Sequence, residues 1–130
     1  MSKLDMFLEL PDITGITKEI EASKRLGMVK IGALSSEEYS DIMKKSRKMN
    51  TRKGTVEFDD NAFHTNIVCS KLLEPDFSNA EFLAKVKCNT GKEFISRKLL
   101  PGEIREISNK ILELSGFDTD INDDIEEAKN

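Results

Sequence analysis

Residues 94–117 constrain this chain more than any other stretch, because two helical apolar patterns meet there at Leu99-Leu100-Pro101-Gly102-Glu103. Proline has no backbone N–H and holds φ near a helical value, so Pro101 can close one helix and open the next. Glu103 then places negative charge in the first turn, at the positive end of the helix dipole. Ile104, Ile107, Ile111 and Leu114 follow at spacings of three and four, which stacks them on one face. Gly116 supplies a residue that accepts positive φ just past the helix end, and Phe117 is placed to fold back on the last turn. The plain reading is helix punctuation with Leu99 and Leu100 both buried, so that Leu100→Ala costs ~2–5 kcal/mol. The other reading makes Leu99, Leu100, Pro101, Gly102 and Glu103 a partner-binding segment.

The rest of the chain carries similar punctuation. Ile16–Ser23 and Met28–Leu34 flank Lys24-Arg25-Leu26-Gly27, a pattern for a β-hairpin with Gly27 at the special position. Lys18 interrupts its alternation, which suggests an exposed two-strand unit. Ser35-x-x-Glu38, Ser78-x-x-Glu81 and Thr90-x-x-Glu93 are capping-box spacings, in which the hydroxyl takes an orphan N–H and the acid reaches back. The first opens a helix to about Arg47 with Tyr39, Ile42 and Met43 as its apolar stripe. The other two open helices over 79–88 and 91–99. Thr55–Phe58 reads as a short strand. Asp59 or Asp60 then caps a core helix from Asn61 to Leu73, built on Phe63, Ile67, Val68, Leu72 and Leu73 and stopped by Glu74-Pro75. Residues 1–15 show only turn signals, at Pro11-Asp12 and Thr14-Gly15.

The resulting fold class is α+β and mostly α. A small N-terminal hairpin (about 16–34) packs on a body of four or five short helices (about 35–117). With 130 residues, 38% hydrophobic, no Trp and one Tyr, it is one domain (1–117) with an aliphatic and Phe-based core. No run approaches the ~20 apolar residues that cross a bilayer, and the N-terminus has no signal-peptide pattern. Cys69 and Cys88 have no metal or redox spacing and read as buried free thiols in a cytoplasmic protein.

Charge is unevenly distributed. Residues 118–130 hold Asp118, Asp120, Asp123, Asp124, Glu126 and Glu127 against Lys129, a net of −5, whereas the preceding residues total +1. Such a tail buries too little apolar surface to offset its ordering entropy, so disorder is expected, as a solubility tail or as a shield for a partner surface. Residues 44–53 carry Lys44, Lys45, Arg47, Lys48, Arg52 and Lys53, a density that suggests phosphate contacts. No aromatic residue is interleaved for stacking, and the chain's pI is about 5.1, which favours a solvated face or protein contact over nucleic acid. His64 is the only histidine, expected at the surface or half-buried. No nucleophile–base arrangement, phosphate loop or metal-ligand spacing is present, so neither enzymatic activity nor a cofactor is expected.

The Leu-Leu-Pro-Gly-Glu junction, with its helix ending in Gly-Phe-Asp, resembles the XkdN-like family of phage tail assembly chaperones. So do Ile31-Gly32-Ala33-Leu34-Ser35-Ser36-Glu37-Glu38, the run from Lys53-Gly54 to Phe58-Asp59 followed by Asn66–Leu73, and Asp76-Phe77-Ser78-Asn79-Ala80-Glu81-Phe82. The resemblance covers about residues 28–118. It implies a protein of the bacterial host cytoplasm that binds the long tape measure protein before tail-tube subunits polymerise around it, and that leaves before the virion is complete. Tail-tube subunits are further implied partners, and a longer frameshifted product accompanies some such chains. The alternatives are a tail or baseplate component retained in the virion, or a small nucleic-acid binder using residues 44–53.

Overall fold

A computed structural model describes residues 2–117. Among them the chain runs α1 (Lys3–Leu8), a 3-10 turn at Ile13–Gly15, β1 (Thr17–Ser23), β2 (Gly27–Gly32), α2 (Ser36–Lys45), β3 (Arg47–Asn50), β4 (Thr55–Phe58), α3 (Asp60–Lys71), β5 (Leu72–Glu74), α4 (Ala80–Val86), α5 (Gly91–Lys98) and α6 (Pro101–Leu114). The α+β class holds. The acidic segment 118–130 lies outside the described residues.

β1 and β2 are antiparallel, with Ile20 opposite Val29 and Thr17 opposite Gly32. Gly27 has φ +76°, a conformation open to glycine without the Cβ clash that penalises other residues. The pair is not the exposed two-strand unit that the interrupted alternation suggests. β5 adds to the other edge of β2, with Leu72 opposite Ile31, and Ile20, Ala22, Val29 and Ile31 are buried on the inner face. Helix α6 crosses β1 and β2 and packs along α3, while α2 and α5 flank α3. Their apolar stripes close one cluster of Ile67, Val68, Ile95, Leu99, Ile104, Ile107 and Ile111 with the sheet residues.

Several boundaries differ from the periodicity reading for local reasons. Helix α3 ends at Lys71, and Leu72 and Leu73 leave it for β5, in which Leu72 and Glu74 pair with β2. An open strand edge offers Leu72 ladder hydrogen bonds, and Pro75 biases the residue before it away from helix. Ser78 does not cap α4. Asn79 does, its Oδ1 accepting from Phe82 N at 3.1 Å, while Ser78 donates to Asp76. Ser35 and Glu38 form the full reciprocal box at 3.0 and 3.2 Å. Thr90 accepts from Glu93 N, but the Glu93 carboxylate takes Asn89 N instead of Thr90 N. β3 replaces the end of the expected helix, so of the cationic segment 44–53, Lys44 and Lys45 close α2 and residues 47–53 become the first strand and turn of an antiparallel β3–β4 hairpin. Residues 3–8 form a helix that turn signals alone do not suggest. It is closed by a Ser2–Asp5 capping box and has no buried residue.

The end of α6 follows the sequence closely. Gly116 N donates to Glu113 O and Phe117 N to Leu112 O, both at 3.0 Å, the double closure of a Schellman motif. Gly116 has φ +94°, where an L side chain is strained. Gly116→Ala is therefore expected to cost about 1 kcal/mol, read by denaturant unfolding. The Phe117 ring meets Tyr39 of α2 at 4.9 Å. Of the two thiols, Cys88 is buried as expected, whereas Cys69 is exposed. Cys69 follows the fully buried Ile67 and Val68 on α3, and the next step around a helix turns outward.

Candidate functional site

Two helices meet at the junction with a short extended step between them. Leu99 (φ −94°, ψ 142°) and Leu100 (φ −70°, ψ 147°) are both extended. Successive side chains of extended backbone point to opposite sides, so only one of the two leucines can face the core. Leu99 does, at 7% exposure, and Leu100 is 59% exposed. The expectation that both are buried, and with it a large cost for Leu100→Ala, is corrected by this alternation. Pro101 and Gly102 are also exposed, whereas Glu103 is buried.

Glu103 is the electrostatic centre of the junction. One carboxylate oxygen accepts from Leu100 N at 2.8 Å, closing the first turn of α6. The other accepts from Ser23 Oγ at 2.7 Å and Arg25 Nε at 3.2 Å. Arg25 Nη2 completes an ion pair with Glu103 and donates to Lys98 O at 3.1 Å. The Arg25 guanidinium, the Leu100 amide and the Ser23 hydroxyl, in that order, lower the Glu103 carboxyl from 4.5 to about 2. The turn between β1 and β2 is thereby tied to the end of α5 and the start of α6. Some 78 residues separate the partners, so spacing in the sequence carries no signal of this contact.

Beside the junction lies a shallow cleft between α3, α5 and α6, lined by His64, Thr65, Ser96, Pro101 and Arg105 among others. Three of its polar side chains, His64, Thr65 and Arg105, are engaged within the chain. His64 Nδ1 and Ser108 Oγ are 2.7 Å apart, and Arg105 pairs with Asp60. Burial lowers the His64 pKa below its usual value, with Asp60 opposing. His64 is therefore half-buried and engaged with a hydroxyl and a carboxylate. Of the five junction residues, Leu99 and Glu103 thus face inward and hold the step in place. Leu100, Pro101 and Gly102 present it to solvent.

Two further exposed apolar surfaces escaped the sequence reading. On α1 and the residues after it, Leu4, Phe7, Leu8 and Leu10 are 63–82% exposed. On the β3–β4 hairpin, Met49 lies opposite Val56 and Arg47 opposite Phe58, and directly opposite residues share a face. Met49, Val56 and Phe58 are 71%, 61% and 47% exposed. The i, i+3, i+4 spacing of Leu4, Phe7 and Leu8 was the available signal for the first surface. None existed for the second until β3 was recognised as a strand. Among the described residues no group of three or more His, Cys, Asp or Glu is placed to hold a metal ion, and no helix is long and apolar enough to cross a membrane.

Fold and surface together describe a small α+β domain that leaves several large apolar side chains in solvent. The chain belongs to the phage XkdN-like tail assembly chaperone family, whose pattern matches residues 4–129. It is 28% identical over 101 residues to the phage-like element PBSX protein XkdN of Bacillus subtilis strain 168, covering 75% of this chain and 68% of that protein. It is 29% identical over 102 residues to the uncharacterized protein YqbN of the same strain, with the same coverage. A crystal structure of the protein YqbN matches with a TM-score of 0.67 at 23% identity, covering 91% of this chain and 99% of that one. That likeness shows the fold.

Proposed function

We propose that this protein binds the tape measure protein of its phage or prophage in the host cytoplasm, and keeps it soluble until tail-tube subunits polymerise around it. Family membership supports a chaperone role in tail assembly, a non-catalytic task that needs no cofactor. The observation that carries the reading further is the exposure of large apolar side chains on three separate segments, the α1 arm, the β3–β4 hairpin and Leu100. A long partner rich in helices presents apolar stripes that aggregate when bare, and apolar surface on a small folded domain covers them. Leu100, Pro101 and Gly102 form the proposed contact at the junction, with Leu99 and Glu103 holding its shape.

Co-expression with the tape measure protein of the same element tests this. The tape measure is expected in the soluble fraction and to co-purify with the chaperone at moderate salt. Leu100→Glu is expected to weaken binding about 10-fold or more, near 1.4 kcal/mol, with no change in thermal unfolding because the side chain is exposed. Equal aggregation of the tape measure with and without the chaperone overturns the reading. Abundant copies in finished particles instead identify a retained structural component.

A further inference from the structure

The β3–β4 hairpin is a two-stranded sheet that no other strand joins among the described residues. One face carries Arg47, Met49, Val56 and Phe58, and Arg52 and Lys53 sit in its turn. With Lys44, Lys45 and Lys48, the segment 44–58 holds six cations against Glu57, a net of +5. None of the six makes an ion pair among the described residues. A cationic rim around exposed apolar groups fits an acidic segment with a few apolar side chains of its own.

The chain contains such a segment within reach. Residues 118–130 carry a net of −5, with Ile121 and Ile125 four apart. That spacing puts both on one side in either helical or extended backbone. Their starting point is known, since Phe117 packs on Tyr39 at 4.9 Å. Tyr39 meets Phe63 at 6.2 Å, and Phe63 meets Phe58 of the hairpin at 5.3 Å. A row of ring contacts thus leads from the exit of the tail to the apolar face of the hairpin. At roughly 3.3 Å per extended residue, the tail reaches about 40 Å, well beyond that separation.

We propose that residues 118–130 dock in cis on the β3–β4 hairpin, the carboxylates meeting Arg47, Arg52 and Lys53 and the two isoleucines covering Met49 and Val56. The docked tail is an intramolecular cover for an apolar surface in the free protein, and a partner reaches that surface by displacing it. The inference concerns the free protein and stands whichever partner the chaperone serves.

Hydrogen exchange on the full-length chain tests it. The parent is compared with a variant whose six tail acids are changed to Asn or Gln (D118N, D120N, D123N, D124N, E126Q, E127Q). Amides of residues 47–58 are expected to exchange about 5-fold or more faster in the variant. Raising salt from about 50 to 500 mM is expected to produce the same change in the parent and none in the variant. Carbodiimide treatment of the monomer is expected to couple Lys53 to a tail carboxylate. Replacing Arg47, Arg52 and Lys53 by Glu removes the protection, and Lys in place of the tail acids restores it. Equal exchange in parent and variant overturns the proposal. So does protection that rises with protein concentration, which places the tail on a second copy.

Discussion

Ile107→Ala is expected to destabilise the fold by about 3–4 kcal/mol, and Leu100→Ala by less than about 0.5 kcal/mol. Ile107 is 0% exposed on the face of α6 that crosses the sheet and packs along α3, in the same cluster as Ile31, Ile67 and Ile111, also at 0%. Truncation there leaves a cavity walled by a strand and two helices whose backbones are fixed by their own hydrogen bonds, so collapse around it is limited. Against a total stability of ~5–15 kcal/mol, a loss of that size is a large fraction. In a domain of this length it lowers the melting temperature by roughly 10–15 °C. Leu100 has the same apolar character and lies just seven positions earlier, yet it is 59% exposed. Melting curves of the two variants side by side test the alternation of the extended step. Similar losses in both would show that Leu100 is buried after all.

The second large effect is acid sensitivity centred on Glu103. Its carboxyl is lowered from 4.5 to about 2 by Arg25, Leu100 N and Ser23. A carboxyl whose folded value lies below its unfolded value binds protons more readily when unfolded. Its contribution is therefore complete above pH 4.5 and is lost as pH falls toward 2. Glu38 and His64 act in the same direction. Burial raises the Glu38 carboxyl, but Lys71 and Ser35 outweigh this and lower it overall. His64 is lowered by burial, so its contribution fades below about pH 6.5, where the unfolded imidazole takes up a proton. Glu103→Gln isolates one contribution. Its melting temperature is expected to lie well below the parent's at pH 7 and to converge on it near pH 2. A gap that stays constant across that range would show that the charge of Glu103 does not stabilise the junction.

Both predictions also mark where sequence reasoning stops. Caps and stops are local, because a hydroxyl, a proline or a glycine acts on backbone groups within four residues. That is why Ser35-x-x-Glu38, Pro101 and Gly116 were legible as they stand in the structure, and why the cap of α3 was narrowed to Asp59 or Asp60, of which Asp59 serves. The core stripe of Ile104, Ile107 and Ile111 was legible for the same reason, since one helix face is fixed by spacing alone. The five candidate junction residues could be located this way, but not divided into those that face inward and those that meet solvent.

That division belonged to tertiary structure, as did every feature that depends on a distant edge or charge. Leu72 became a strand residue because β2 offered an open edge more than forty positions earlier in the chain. Arg47, Lys48, Arg52 and Lys53 became part of a hairpin because Thr55–Phe58 returned to pair with Arg47–Asn50. Glu103 read as a helix-dipole residue, which it is, yet its main partner is Arg25 on a turn between strands. Within a few residues, backbone sterics and unsatisfied N–H groups leave few choices, so local caps and stops such as Ser35, Pro101 and Gly116 were determined by the sequence alone. Which side chain meets the core, and which acid meets which base, is a property of packing among segments far apart in the chain, and only the folded structure decided it.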